Sequence, residues 1–519
     1  MNKIKLTALL LIAALLIAPL ASCSEAPADA APTDTSEGQT EQNPGSTDKA
    51  ILIGGTDIAE YTVVYAESGL DFSLHAAEYV CRKISELTGK EMKPELDTET
   101  AETENEIVIG KTNRSISSAS DDERLGDFEY MILKSGKKVL LYGEEYMLAS
   151  AAYNFAKDLA DGKKMESEEE KKVLAAEFED PKNIILFIGD GMGFNTLKFG
   201  NELYSKNIMI PSKTPVPETG GYSQDEIVAF RLPNQGRSYT HSLDYDVTDS
   251  AAGGTALATG YKTYNSVIGL DLDLNPIKNL CELAIEKGKK TAVITTDNKA
   301  GATPAAFTAH TLSRDDEEYI LWSQDNSGVD IVAGQLRDPG ILLWAQLQAV
   351  TDEENGFFMM FEEAFTDQAS HGNNAPELCL AYLRVNTALR IFLEYAMYHP
   401  DTAIIMTADH ETGGIQFDDD ADGYIFTSKK HTGVNVPLLG IGKGTEEINE
   451  AAFDNTAVAK LIAKLMGEED FGDPEMPLYR EGTTGFETAP EAELVKMAVR
   501  FKKAIAKYNS EREESVPLY

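Results

Sequence analysis

Apolar positions change their spacing several times along this chain. Residues 6–17 form an apolar run, interrupted only at Thr7, behind Lys3 and Lys5, too short to remain in a bilayer as a permanent span. Residues 24–49 show no apolar period and are rich in Ser, Thr, Pro, Ala, Glu and Asp, which predicts a disordered tether. From 50 to 160, short strand-like stretches (51–55, 61–66, 106–110) and a hairpin of 128–133 with 138–143 alternate with helical spacing over 70–89 and 146–159. This predicts a small α/β domain of ordinary size. Lys and Glu dominate 161–180, so 161–181 reads as a linker or bridging helix. Beyond 182 the strands 183–188, 290–296, 357–361, 402–407 and 436–441 are apolar and alternate with helices at 276–287, 377–399 and 455–466. Such strands belong to a doubly wound, largely parallel sheet with helices on both faces, here spanning 182–519. In sheets of this kind ligands bind beyond the carboxyl ends of the strands.

The length of 519 residues accommodates two or more domains with a sizeable core. At the N-terminus Leu20-Ala21-Ser22-Cys23 closes the apolar run and resembles a bacterial lipoprotein signal. Residues 1–23 are then removed up to Cys23, which carries the lipid. The mature protein is expected outside the cytoplasm, anchored to the membrane through Cys23. Cys81, Cys281 and Cys379 are too far apart in sequence for a disulfide framework or a zinc finger; the last two are expected as small core residues. A formal charge of −40 excludes a surface that coats nucleic acid and argues against adsorption to anionic lipid. An anionic substrate would have to be drawn in locally, by metals or an arginine.

Candidate chemistry gathers at the ends of the apolar strands. Ser250 lies beside Asp249 and before the small-residue run 251–260, where backbone N–H groups at a helix start can face an anion; tight packing is the plainer alternative. A serine hydroxyl is a poor nucleophile without help. No histidine is near in sequence, so the neighbouring acid suggests a metal. Asp190 follows strand 183–188 between glycines, and Glu362 ends 357–361. Asp367 and His371 share one face of a helical turn. Asp409 and His410 lie past 402–407, and His431 precedes 436–441. Of seven histidines in the chain, three sort to strand ends beside acids. Imidazole with carboxylate and no thiolate suits zinc, while an all-oxygen subset suits magnesium.

The segments Gly189-Asp190-Gly191-Met192-Gly193, Thr248-Asp249-Ser250-Ala251-Ala252, Ala302-Thr303-Pro304-Ala305-Ala306, Thr407-Ala408-Asp409-His410 and His431-Thr432-Gly433, in this order, resemble the alkaline phosphatase family. The resemblance spans Lys182 to about Gly467 and implies that family's fold. It also implies a phosphate monoester hydrolase with two zinc ions and one magnesium. Ser250 would become phosphorylated. Asp190, Asp409 and His410 would hold the zinc that activates it. Asp367, His371 and His431 would hold the second zinc, and Asp190, Thr303 and Glu362 the magnesium. Arg314, eleven residues after Thr303, stands where the family places its phosphate-gripping arginine, a role suited to a bidentate guanidinium. Asp249, outside the ligand set, is expected to position Arg314.

Two departures accompany this. Gly301 stands where the family commonly has Asp or His, so a weaker third site, or another ion there, is expected. Glu363 follows Glu362 where glycine is common, adding a charge. With only 47 residues between Arg314 and Glu362 and 20 between His410 and His431, the site is expected to be more open than in larger members. The homodimer contacts that such insertions provide are not implied. The 50–160 stretch is similar in pattern to the small α/β domain that precedes the barrel of several glycoside hydrolases. The alternatives are a phosphodiesterase on the same metals, which usually lacks the arginine and uses threonine, and a non-catalytic glycan- or zinc-binding surface lipoprotein.

Overall fold

Strand Asn183–Gly189 is buried along its whole length, as an apolar run covered on both faces must be. It pairs in parallel with Phe357–Glu363 on one side and Thr402–Thr407 on the other. These three lie in the middle of an eight-stranded sheet. Its order is Ile331–Ala333, Lys290–Thr295, Phe357–Glu363, Asn183–Gly189, Thr402–Thr407, Val436–Ile441, Asn234–Tyr239, Ala452–Asp454. The first five strands run parallel to one another. Val436–Ile441 runs against both its neighbours, so the sheet is mixed but largely parallel. Helices cover both faces. Ile185 and Phe187 pack with helices Gly340–Val350 and Ala375–Tyr398. Ile184, Leu186 and Ile188 pack with Ser250–Thr259, Leu280–Glu286 and Asn455–Leu465.

The structure is a computed structural model that describes residues 51–68, 70–121, 124–205, 227–352, 354–449, 452–474 and 502–507. The signal and tether expected over 1–49, with Cys23, lie outside the described residues. The described residues all fall within one compact unit. Among the described residues no helix is long and apolar enough to cross a membrane.

The N-terminal part builds its own six-stranded sheet, ordered Glu95–Leu96, Thr62–Tyr65, Glu106–Ile109, Lys138–Gly143, Glu129–Ser135, Glu169–Ala175. Helices Phe72–Thr88 and Met147–Ala160 pack on it. They also meet helix Ala375–Tyr398: His75 Nδ1 lies 3.0 Å from Glu394 Oε1, and Ser150 Oγ lies 3.0 Å from Met397 Sδ. One apolar cluster runs through both sheets.

Three sequence expectations need correction. The stretch 161–181 is neither a plain linker nor a helix, because Glu169–Ala175 pairs with Glu129–Ser135 over its full length. Its Lys and Glu side chains conceal an edge strand, and charge is what keeps an unpaired edge from aggregating. The helix expected from 276 begins at Leu280, because Asn279 and Glu282 form a reciprocal capping box there. Cys379 is half-buried, whereas Cys281 and Cys81 are buried; all three thiols are free.

Candidate metal centre

Asp190, Glu362, Asp409 and His410 arrive from three adjacent central strands at the same end of the sheet. The strands are in register there, with Glu362 opposite Ile188 and Ile188 opposite Thr407. Gly191 sits at φ +70°, and a Cβ on it would lie 2.9 Å from Asp367 Cα. Glycine therefore lets the Asp190 turn rest against helix Phe365–Gly372, which carries Asp367 and His371. The short strand His431–Thr432 folds back onto Glu411–Thr412, stacking the His431 ring 3.6 Å from that of His410.

Helix Ser250–Thr259 is buried at every position, and Asp249 caps it by accepting the Ala252 N–H at 3.0 Å. A Cβ on Gly253 would meet Asp409 O at 2.9 Å. The small-residue run is thus tight packing and site construction at once: the serine reaches the cluster only because its helix can lie against the Asp409 loop.

The spacing of the facing atoms is informative. Ser250 Oγ lies 3.2 Å from His410 Nε2. That nitrogen is 3.3 Å from Asp409 Oδ2 and 3.4 Å from Asp190 Oδ1. In a second group, His371 Nε2 is 3.1 Å from His431 Nε2 and 3.3 Å from Asp367 Oδ2, while His431 Nε2 is 3.6 Å from Asp367 Oδ1. Ligands of one tetrahedral zinc stand roughly 3.3–3.4 Å apart, given zinc–ligand bonds of about 2.0–2.1 Å. Asp367 is near enough to Asp190 and His410 to belong to either group.

Hydrogen bonding fixes the tautomers. His371 Nδ1 is 2.6 Å from Lys429 O, and His431 Nδ1 is 2.9 Å from Thr248 O. A carbonyl only accepts, so Nδ1 carries the proton and Nε2 keeps its lone pair. For His410, Nδ1 faces Thr412 Oγ1 at 3.2 Å, and that hydroxyl donates to Asp367 Oδ1. The hydroxyl's proton is committed, so it accepts from His410. Three Nε2 lone pairs therefore point inward. Two such nitrogens do not hydrogen-bond each other; the contact between His371 and His431 is what a shared cation would produce. Asp190 Oδ1 and Asp409 Oδ2 are buried without a hydrogen-bond partner, a costly state that a cation relieves.

Electrostatics agree with this donor set. Burial, then Asp409, Asp367 and Glu362, hold the Asp190 carboxyl well above the usual range. Asp409 is raised by burial and by Asp367. Burial pushes Glu362 up against the hydrogen bond from Thr295, while the Thr303 hydroxyl, on the short helix Ala302–Ala306, is buried without a partner. Burial, with His431 and Arg314 nearby, holds His410 well below an ordinary imidazole, so it is a weak proton acceptor for Ser250. The two donor groups, Asp367 with His371 and His431 and Asp190 with His410, have the imidazole–carboxylate chemistry that suits zinc, and Glu362 and Thr303 are buried oxygen donors. Arg314 NH1 donates to Asp249 Oδ2 at 3.2 Å, which leaves the rest of its guanidinium fork available.

Sequence reading misses the groups that orient these ligands. Thr412 joins His410 to Asp367. Thr366 donates to the Asp190 carbonyl, and Arg384 binds Glu363. None has a local signature, because each acts on a partner remote in sequence.

The family model described as alkaline phosphatase matches residues 181–337 and 343–430. The chain is 27% identical over 297 residues to alkaline phosphatase 4 of Bacillus subtilis (strain 168), covering 45% of this chain and 62% of that protein. It is 26% identical over 397 residues to alkaline phosphatase 3 of the same organism, covering 62% and 81%. Among solved structures it is similar to alkaline phosphatase from the Antarctic bacterium TAB5, with 25% identity and a TM-score of 0.48, over 56% of this chain and 99% of that one. Residues 181–337 and 343–430, just under half of the chain, match the alkaline phosphatase family.

Proposed function

We propose that this chain is a metal-dependent phosphate monoester hydrolase working through a phosphoserine at Ser250. The match to the alkaline phosphatase family supports the coarser part, phosphoester hydrolysis. The observation that carries the finer part is the surrounding of Ser250 Oγ. It lies 3.2 Å from the inward-facing lone pair of a weakly basic His410, itself beside two partnerless carboxylate oxygens. A cation held beside a hydroxyl so placed would lower its pKa and let its proton pass to water, with only the weakly basic His410 in contact to take it.

In this reading Asp190, Asp409 and His410 hold one zinc, and Asp367, His371 and His431 the other. Asp190, Thr303 and Glu362 hold magnesium, with no carboxylate or imidazole at Gly301 to help. Bound there, these cations would lower the pKa of the serine hydroxyl and offset charge on the attacking and leaving oxygens. Ser250 Oγ attacks phosphorus as the ester oxygen departs, and water then displaces Ser250 Oγ from the phosphoserine. Two inversions give net retention at phosphorus. Arg314 offers paired N–H donors to the non-bridging oxygens, with Asp249 holding it in place. The pattern at residues 1–23 supports an exported, lipid-anchored protein.

The test is turnover of a phosphate monoester and of a diester, with zinc and magnesium, with chelator, and in Ser250→Ala. We expect monoester turnover that is abolished by chelator and falls at least ~10³-fold in Ser250→Ala. Turnover surviving Ser250→Ala overturns the phosphoserine route, and a preference for diesters overturns the monoesterase assignment.

A further inference from the structure

Glu363, the extra carboxylate beside Glu362, is fully buried. It accepts two hydrogen bonds from Arg384 of helix Ala375–Tyr398, Nε to Oε2 at 3.0 Å and NH2 to Oε1 at 3.1 Å. The Arg384 guanidinium also lies 4.9 Å over the Phe365 ring. From this anchored position Glu363 reaches both ligand groups. Its Oε1 accepts the Phe365 N–H at 3.1 Å. That caps helix Phe365–Gly372, whose own N-cap residue, Ala364, has no side chain to do so. The helix carries Asp367 in its first turn and His371 in its last. The Glu363 carbonyl accepts the Asp190 N–H at 3.0 Å, and Thr366 ties that carbonyl to the Asp190 carbonyl.

We infer that Arg384 and Glu363 are a positioning pair that sets the Asp190 turn and the Asp367–His371 helix at the spacing the two cations need. The inference rests on the ligand assignment proposed above. Glu363 can be buried beside Glu362 only because Arg384 compensates it; a lone carboxylate there would swing outward to water. That swing would release the Phe365 N–H. A single residue would then loosen the ligands of both sites.

The test is zinc affinity and stoichiometry by competition with a chromophoric chelator. The proteins are the full chain, Arg384→Met, Arg384→Lys, and the double variant Glu363→Gln with Arg384→Met. Thermal unfolding is recorded alongside each. Arg384→Met is expected to lose about 10- to 100-fold in zinc affinity, the usual effect of removing a group that orients ligands. Arg384→Lys keeps the charge but not the two-pronged grip, and is expected to lose about tenfold while its unfolding midpoint stays close to that of the parent. The double variant leaves no uncompensated charge at position 363, and the side-chain amide oxygen that Glu363→Gln introduces can still accept the Phe365 N–H, so most of the affinity returns. Parent-like zinc affinity in folded Arg384→Met and Arg384→Lys would reduce the pair to a stability role and overturn the inference. A parent protein that binds zinc yet turns over no monoester overturns the functional reading alone.

Discussion

Asp249 does two things with its two oxygens. Oδ1 caps the serine helix, and Oδ2 accepts from Arg314 and from the Ser266 N–H at 2.9 Å. The two roles separate by substitution. Asp249→Asn can keep the cap but weakens the charge-assisted hold on Arg314. We expect competitive inhibition by inorganic phosphate to weaken roughly 10-fold, the scale of one charged hydrogen bond, with zinc content unchanged by elemental analysis. Asp249→Ala should add about 1 kcal/mol of lost stability from the missing cap, read by denaturant unfolding. Zinc loss in either variant would show that Asp249 belongs to the ligand set. Thr412 is the residue-scale opposite, silent in sequence but central in space. Thr412→Val leaves the His410 Nδ1–H without its acceptor and frees Asp367, so zinc affinity measured by calorimetric titration should fall about 10- to 100-fold.

Helix Ala375–Tyr398 works on two sides. Arg384 faces the metal centre, while Glu394 faces the N-terminal sheet and meets His75. The His75 ring also stacks on Trp344 with centroids 4.9 Å apart. Burial raises the Glu394 carboxyl to about 7, against the bond from His75. Burial pulls His75 down, but its bond to Glu394 outweighs that and leaves it raised. Both groups thus bind protons more tightly folded than unfolded. Their contribution is full at low pH and is lost as pH rises, for Glu394 from its unfolded value near 4.5 up to about 7. Glu394→Gln should flatten this decline. Between pH 5 and pH 8 its thermal midpoint should fall roughly 2–4 °C less than that of the parent, the scale of about 1 kcal/mol in a large domain; an identical decline would remove the pair from the explanation. This contact is illegible in the sequence. His75 and Glu394 lie 319 positions apart, and neither belongs to a motif. Strand Glu169–Ala175 escapes sequence reading for a different reason. Period-two burial needs an apolar face to show itself, and an edge strand with charged side chains has little.

At the scale of the molecule, the centre gathers carboxylates that repel one another. Asp190, Asp409 and Glu362 are all raised by burial and by neighbouring acids. Without cations the folded state must ionise them at a cost as pH rises, so stability should decline across that range. Cations reverse the sign by favouring the ionised form. Chelated protein should therefore lose thermal midpoint steadily from pH 5 to pH 9, while zinc- and magnesium-loaded protein should hold nearly level, with the gap widest at high pH. Differential scanning calorimetry of both forms checks this, and parallel curves would mean that the acids are not coupled to bound metal. The N-terminal sheet belongs to the same energetic unit, since one apolar cluster spans it and helix Ala375–Tyr398.

Local pattern along the chain is enough to dictate the parallel sheet and the strand ends as the place where acids and histidines gather, whereas Thr303 and Arg314 enter only through the family resemblance. Unbroken apolar runs allow only strands covered on both faces, and glycine beside an acid marks where a strand releases its chain. How those ligands are held is settled only by packing in three dimensions. The tautomers of His371, His410 and His431, the compensation of Glu363 by Arg384, and the docking of His75 on Glu394 each join residues remote in sequence. A hydrogen bond leaves no periodicity, so such pairings become legible only once packing has brought the partners within about 3 Å.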